Sequence, residues 1–180
     1  MKIILISLIT LVSLVSCSNN SQVVSPKLDP LNQQFISEDE LFRLVLHMDK
    51  LDYRSDEKIQ LHSTLEYIGT EKKATIWHGM PYINYLITDG KDFSVGGVVS
   101  TILKSTTLEK GEVYTFPYIK TGAFSENDPN ADFWREFFDE KDLYLPPGRY
   151  TLTVYCGFSL TEDVVNSKYN NKVEVEITVD

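Results

Sequence analysis

Lys58-Ile-Gln-Leu-His-Ser-Thr-Leu-Glu-Tyr67 is the stretch on which the fold turns. Ile59, Leu61, Leu65 and Tyr67 share one phase with Ser63, while Gln60, His62, Thr64 and Glu66 fill the other. A period of two marks a strand with one face on a core and one in water, and Gly69 ends it. Downstream, Gly69 to Lys73 reads as a turn, Ala74 to His78 as a strand, and Tyr82 to Thr88 as its resumption after Gly79 and Pro81. Asp89-Gly90 is a hairpin signal. Phe93 to Leu103 follows as a strand with a bulge at Gly96-Gly97, and Lys110-Gly111 turns the chain into Glu112 to Tyr118. Near the end, Tyr150, Leu152, Val154, Cys156, Phe158 and Leu160 alternate, and so do Val173, Val175, Ile177 and Val179. Upstream, Phe42, Leu44, Leu46 and Met48 alternate too. Leu41, Leu44, Val45 and Met48 would instead form the stripe of a helix capped at Ser37-Glu38-Asp39-Glu40, but a strand fits better beside the sheet that follows. Together these give an all-β chain, an antiparallel sandwich of seven to eight strands.

One helix interrupts it. Asp128-Pro129 reads as N-cap and first helical residue, and Phe133/Phe137 and Trp134/Phe138 then lie four apart on one face. Leu145 followed by Pro146-Pro147-Gly148-Arg149-Tyr150 resembles the tyrosine corner of immunoglobulin-like sandwiches, in which the phenol bonds upstream backbone. Taken with Asp52-Tyr53, Glu57-Lys58-Ile59 and Leu65-Glu66-Tyr67, residues 41–180 resemble the Ig-like modules of bacterial envelope proteins. Their layout is also similar to the intracellular proteinase inhibitor family. The first resemblance implies a non-enzymatic binding module; the second implies an inhibitor offering an exposed loop such as 120–131.

Residues 1–17 set the location. Met1-Lys2 is a short basic start, and Ile3 to Val15 is apolar apart from Ser7, Thr10 and Ser13, long enough for a secretory signal and too short for a comfortable bilayer span. Leu14-Val15-Ser16-Cys17 resembles the lipobox of bacterial lipoproteins. That resemblance implies cleavage before Cys17 and a diacylglyceryl thioether on its sulfur, with palmitate-type acyl chains holding the protein to the membrane. Residues 1–16 are then the signal peptide, 17–40 the lipidated cysteine and a polar, proline-containing tether, and 41–180 the Ig-like domain on the extracytoplasmic side of the cell membrane. Losing Lys2 with the leader moves the net charge from −9 to −10. An acidic body has no electrostatic footprint for nucleic acid and is repelled by anionic headgroups. With Cys156 the only cysteine after Cys17, no disulfide framework exists and packing must hold the fold.

Chemistry is sparse. His47, His62 and His78 have no spacing that brings them together as ligands, and Asp128-x-Asn130-x-Asp132 with Asp139 lacks the glycine a calcium loop needs, having Phe133 there. No GxSxG, SxxK or HExxH occurs. Cys156 lies in an inward phase, as buried free cysteines do. The expected chain is therefore no enzyme, and binds neither metal nor cofactor. Phe133, Trp134, Phe137 and Phe138, with Trp77, Tyr82 and Tyr85, are the candidate recognition residues, since aromatics supply large contact areas at low entropic cost. A protein, a peptide or an envelope polymer would be the partner. The competing reading has the helix plugging the sandwich core.

Overall fold

A computed structural model describes residues 33–180. The expected signal peptide, Cys17 and most of the expected tether lie outside the described residues. Those that are described form an all-β sandwich with one short helix. The strands are β1 (Gln33–Glu38), β2 (Phe42–Met48), β3 (Asp52–Tyr53), β4 (Leu61–Tyr67), β5 (Lys73–Thr88), β6 (Ser94–Gly96), β7 (Ser100–Glu109), β8 (Val113–Pro117), β9 (Gly148–Ser159) and β10 (Lys172–Val179), with α1 (Ala131–Asp139) between β8 and β9. One sheet runs β1-β2-β4-β8; the other runs β3-β10-β9-β5-β6, with β7 also on β5.

Alternation in the sequence becomes alternation in space. Leu44 of β2 pairs with Leu65 of β4, and Leu65 with Tyr114 of β8, so the inward residues of three strands form one row. In the facing sheet Val154 of β9 lies between Val173 of β10 and Tyr85 of β5, and Leu152 between Val175 and Ile87. Phe42, Leu44, Leu65, Ile76, Leu152 and Ile177 are fully or almost fully buried between the layers. Each such side chain contributes about 1.5–3 kcal/mol relative to exposure. One polar link crosses the core. Tyr85 Oη donates to the Phe116 carbonyl at 2.8 Å, so the Ser63 hydroxyl must be the donor in its 2.7 Å bond to Tyr85.

Several expectations need correction. The segment Gln33–Glu38, read as the end of the tether, is strand β1, hydrogen-bonded along its length to β2. An edge strand with one half-exposed face needs no apolar alternation, so its sequence looks like a linker. Among the described residues there are ten strands where seven to eight were expected, and β3 pairs with β10 in parallel, so the sandwich is not wholly antiparallel. Gly79 and Pro81 bend β5 without ending it, and the ladder to β9 shifts register between His78 and Ile83. Asp128 does not cap the helix. It accepts the Asn130 N–H in a turn one step earlier, and α1 begins at Ala131 after Asn130.

The tyrosine corner forms as its sequence implies: Tyr150 Oη donates to the Pro146 carbonyl at 2.9 Å. Gly90 and Gly111, at φ of +74° and +78°, take the left-handed backbone their turns require.

Candidate functional site

The candidate recognition residues do not form one site. On α1, the rings of Trp134 and Phe137 stand 5.4 and 5.6 Å from Phe93, which also meets Tyr150 at 5.2 Å. Phe137 is buried, Phe138 stacks on Phe124 at 6.2 Å, and Phe133 is more than a third exposed. The helix thus closes one end of the core around Phe93, as the plug reading has it, leaving the Phe133 edge to solvent. Lys120 completes this end, with its ammonium 4.4 Å above Phe137 and donating to the Asp142 carbonyl; burial lowers its pKa, against the pull of Glu140 and Asp142.

Tyr82 is half-buried elsewhere, its ring 4.5 Å from His78 and 5.0 Å from Phe116. Trp77 lines an open hollow of about 570 Å³ together with Val99, Leu103, Tyr155 and the buried His78 and Phe158.

A cleft built from distant segments was not legible beforehand. Between the edges of β6 and β8 lies an apolar cavity of about 380 Å³, walled by Met80, Ile83, Val95, Phe116, Tyr118 and Ile119. β5 contributes Met80, Pro81, Ile83 and Tyr85 to its lining. Tyr85 and Tyr118 meet edge-on at 5.3 Å at its wall, and burial raises both phenol pKa values, that of Tyr85 to about 12. Both therefore stay neutral and act as apolar walls with one polar tip. Asn84 also lines the cleft; it is 3 % exposed and its amide oxygen accepts no hydrogen bond from the described residues. Around the mouth Met80, Val98 and Ile119 are exposed. An apolar recess with few polar groups suits an apolar side chain or ring of a partner, held by desolvation.

The other chemistry-bearing residues are occupied by structure. His47 and His62 face each other across β2 and β4, rings stacked at 4.4 Å, with His47 Nε2 3.1 Å from Thr64 Oγ1. Sequence spacing gave no sign of this pair, since only strand register creates it. His78 is buried and bonded to Thr106 Oγ1. Asp132 pairs with Arg135. Among the described residues no cluster of His, Cys, Asp and Glu could hold a metal ion. Burial pushes the Cys156 thiol up to about 12, with Asp39 adding to the effect, so at neutral pH it is no nucleophile.

No protein-family model matches the chain, and no curated protein does. Among solved structures, a β-glucosidase of Erythrobacter marinus aligns at TM-score 0.39 and 13 % identity, over 80 % of this chain and 16 % of that chain. The chain thus spans about a sixth of that enzyme's length, and a likeness at this level says nothing about activity.

Proposed function

We propose that this chain is a lipid-anchored, extracytoplasmic lipoprotein whose sandwich is a non-enzymatic binding module of the bacterial surface, with the β6–β8 cleft as its recognition site. The observation that carries the binding role is this apolar cleft, with Met80, Val98 and Ile119 exposed at its mouth on an otherwise acidic molecule. Exposed apolar area of this kind is retained where a partner covers it. The partner, a protein, a peptide or an envelope polymer, would place an apolar group in the cleft.

The anchor and the binding site are tested separately. Cys17→Ser should move the protein from the membrane fraction to the soluble one; retention at the wild-type level rejects the thioether. Pull-down from intact cells with wild type and with Ile119→Asp tests the cleft, since a charge at its mouth should abolish capture of any specific partner while leaving the melting temperature unchanged. Equal capture by both proteins rejects the cleft.

A second reading is proteinase inhibition by residues 120–131. It is favoured by the exposure of Ser125 to Asn127 on a loop held before the tip by Phe124 on Phe138 and at the tip by Glu126 on Arg135. A panel of serine proteases left fully active by the protein would remove it.

A further inference from the structure

The ladder on one side of β5 is broken where the apolar cleft begins. β6 pairs with β5 only as far as Leu86 and Gly96, and β7 starts at Ser100, opposite Met80. Between them residues 97–99 belong to no strand, after a last bond from the Gly97 N–H to the Tyr85 carbonyl at 3.3 Å. On its other side β5 is fully engaged, because Ile83, Asn84 and Tyr85 lie opposite Cys156, Tyr155 and Val154 of β9 in regular register. The break from Pro81 to Tyr85 covers about 16 Å at the rise of an extended chain.

Strand alternation decides which groups face the break. Cys156 donates its N–H to the Asn171 carbonyl just before β10, so Tyr155, one residue away, directs its peptide groups to Asn84 of β5. The N–H and C=O of Ile83 and Tyr85 then point away from β9, as the Tyr85 carbonyl does in meeting Gly97. The register shift of β5 against β9 ends at Ile83 and leaves this direction undisturbed. Among the described residues, 97–99 supply no bond to the Ile83 N–H, the Ile83 carbonyl or the Tyr85 N–H. Ile83 and Tyr85 are 2 % and 8 % exposed, and buried main-chain groups are nearly always paired. Asn84 between them lines the same cleft with a buried amide oxygen that lacks a donor among the described residues.

We propose that the cleft takes an extended, uncharged peptide of a partner protein, whose main chain completes the ladder on Ile83 and Tyr85. One of its apolar side chains is seated between Val95, Phe116 and Ile119. This rests on the cleft being the recognition site, and it names the occupant. A donor and an acceptor on one residue, both facing the same way, are what a strand offers its neighbour; an acyl chain or a bare ring matches neither. Among the described residues no charged side chain lines the cleft, so the seated residues are uncharged. About five extended residues span the break.

The test adds acetyl-Gly-Val-Leu-Val-Gly-amide to the full chain and follows amide hydrogen exchange. A second peptide has its three central amides N-methylated, which keeps the side chains and removes the donors. The first peptide should slow exchange at Ile83 and Tyr85 by about tenfold, and the second should bind about tenfold more weakly, as loss of a main-chain hydrogen bond implies. Ile119→Asp should abolish both effects. Equal binding of the two peptides, without slowing at Ile83, would leave the cleft as the recognition site and overturn the ladder. Binding of neither peptide at millimolar concentration overturns the peptide as occupant, and so does preferential binding of dodecanoate. Slow exchange at Ile83 that appears without peptide and grows with protein concentration identifies a second copy and overturns the foreign peptide. Slowing that persists in Ile119→Asp places the pairing outside the cleft and overturns it too.

Discussion

On one flank of the sandwich, Tyr169 and Asn171 reach from the start of β10 to the turn between β1 and β2. Tyr169 Oη donates to Asp39 Oδ2 at 2.6 Å, and Asn171 Nδ2 lies 3.2 Å from that phenol and 3.5 Å from the Ser37 carbonyl. The Tyr169 ring stacks on Phe158 at 5.0 Å and meets Phe42 at the same distance. On the opposite flank, among the described residues, no hydrogen bond joins β6 or residues 97–99 to β8, and the space between them is the apolar cleft. Both flanks present the same problem, the gap left where two twisted sheets diverge. A polar latch over stacked rings closes the first; the second keeps its aliphatic lining open. The difference separates stability from recognition: residues of the latched flank should govern unfolding, and those of the open flank should be nearly silent in it.

Three measurements bear on that contrast. Phe42→Ala has the largest expected effect. Phe42 is fully buried against Tyr67, Phe158 and Tyr169, so its loss should cost about 3–5 kcal/mol in urea unfolding. A loss below about 1 kcal/mol would mean the latched flank is not the firmer one.

Tyr169→Phe comes next, at about 1 kcal/mol, because Asp39 is exposed to water. This effect should depend on pH. Burial, the largest influence on Asp39, would raise its pKa, but the Tyr169 hydroxyl and the Phe42 and Leu41 amides together hold it below 3.8. A carboxylate held low stabilises the fold fully above its ordinary value, and its contribution is lost as pH falls through the lowered one. The Tyr169 phenol is raised, by burial first and by Asp39 second, so its contribution is complete below about pH 10 and fades at higher pH. The gap between wild type and Tyr169→Phe should therefore hold from about pH 4 to pH 10 and shrink on either side. A gap unchanged at pH 2.5 would show that the latch does not depend on the Asp39 charge.

Ile119→Ala has the smallest effect, within about 0.5 kcal/mol, since the side chain is mostly exposed at the cleft mouth. A larger loss would make the cleft wall part of the core.

Of the latched flank only the strand residues Phe42 and Phe158 were legible, and the open flank was not legible at all. Away from both flanks, sequence shows Tyr150 and its Pro-Pro-Gly approach because a tyrosine corner is local, its bond reaching back four positions. Alternation shows β2, β4, β9 and β10 because each buries one face along its whole length. It shows that Ile102 and Leu103 lie in a strand and misses that they are exposed, since an edge and a centre strand can carry the same residues. The cleft is less visible still. Met80, Val95, Phe116 and Ile119 become neighbours only when two sheets are laid face to face, and no spacing records that. For the same reason the aromatic helix looked like an interface: Phe133, Trp134, Phe137 and Phe138 are what either a docking face or a core plug requires, and only Phe93 and Tyr150 beneath them decide.

The latch joins residues 130 positions apart. Such a contact closes nearly the whole described chain into one loop, and the ordering entropy of that loop must be met before the bond returns anything. The seam at Asp39 is therefore among the last features to form as the polypeptide matures and among the first to part when it is pulled. A protease nick in the exposed Ser125–Asn127 segment would leave two fragments joined by the β5–β9 ladder as well as clasped at that seam, comigrating until denaturant lets them go.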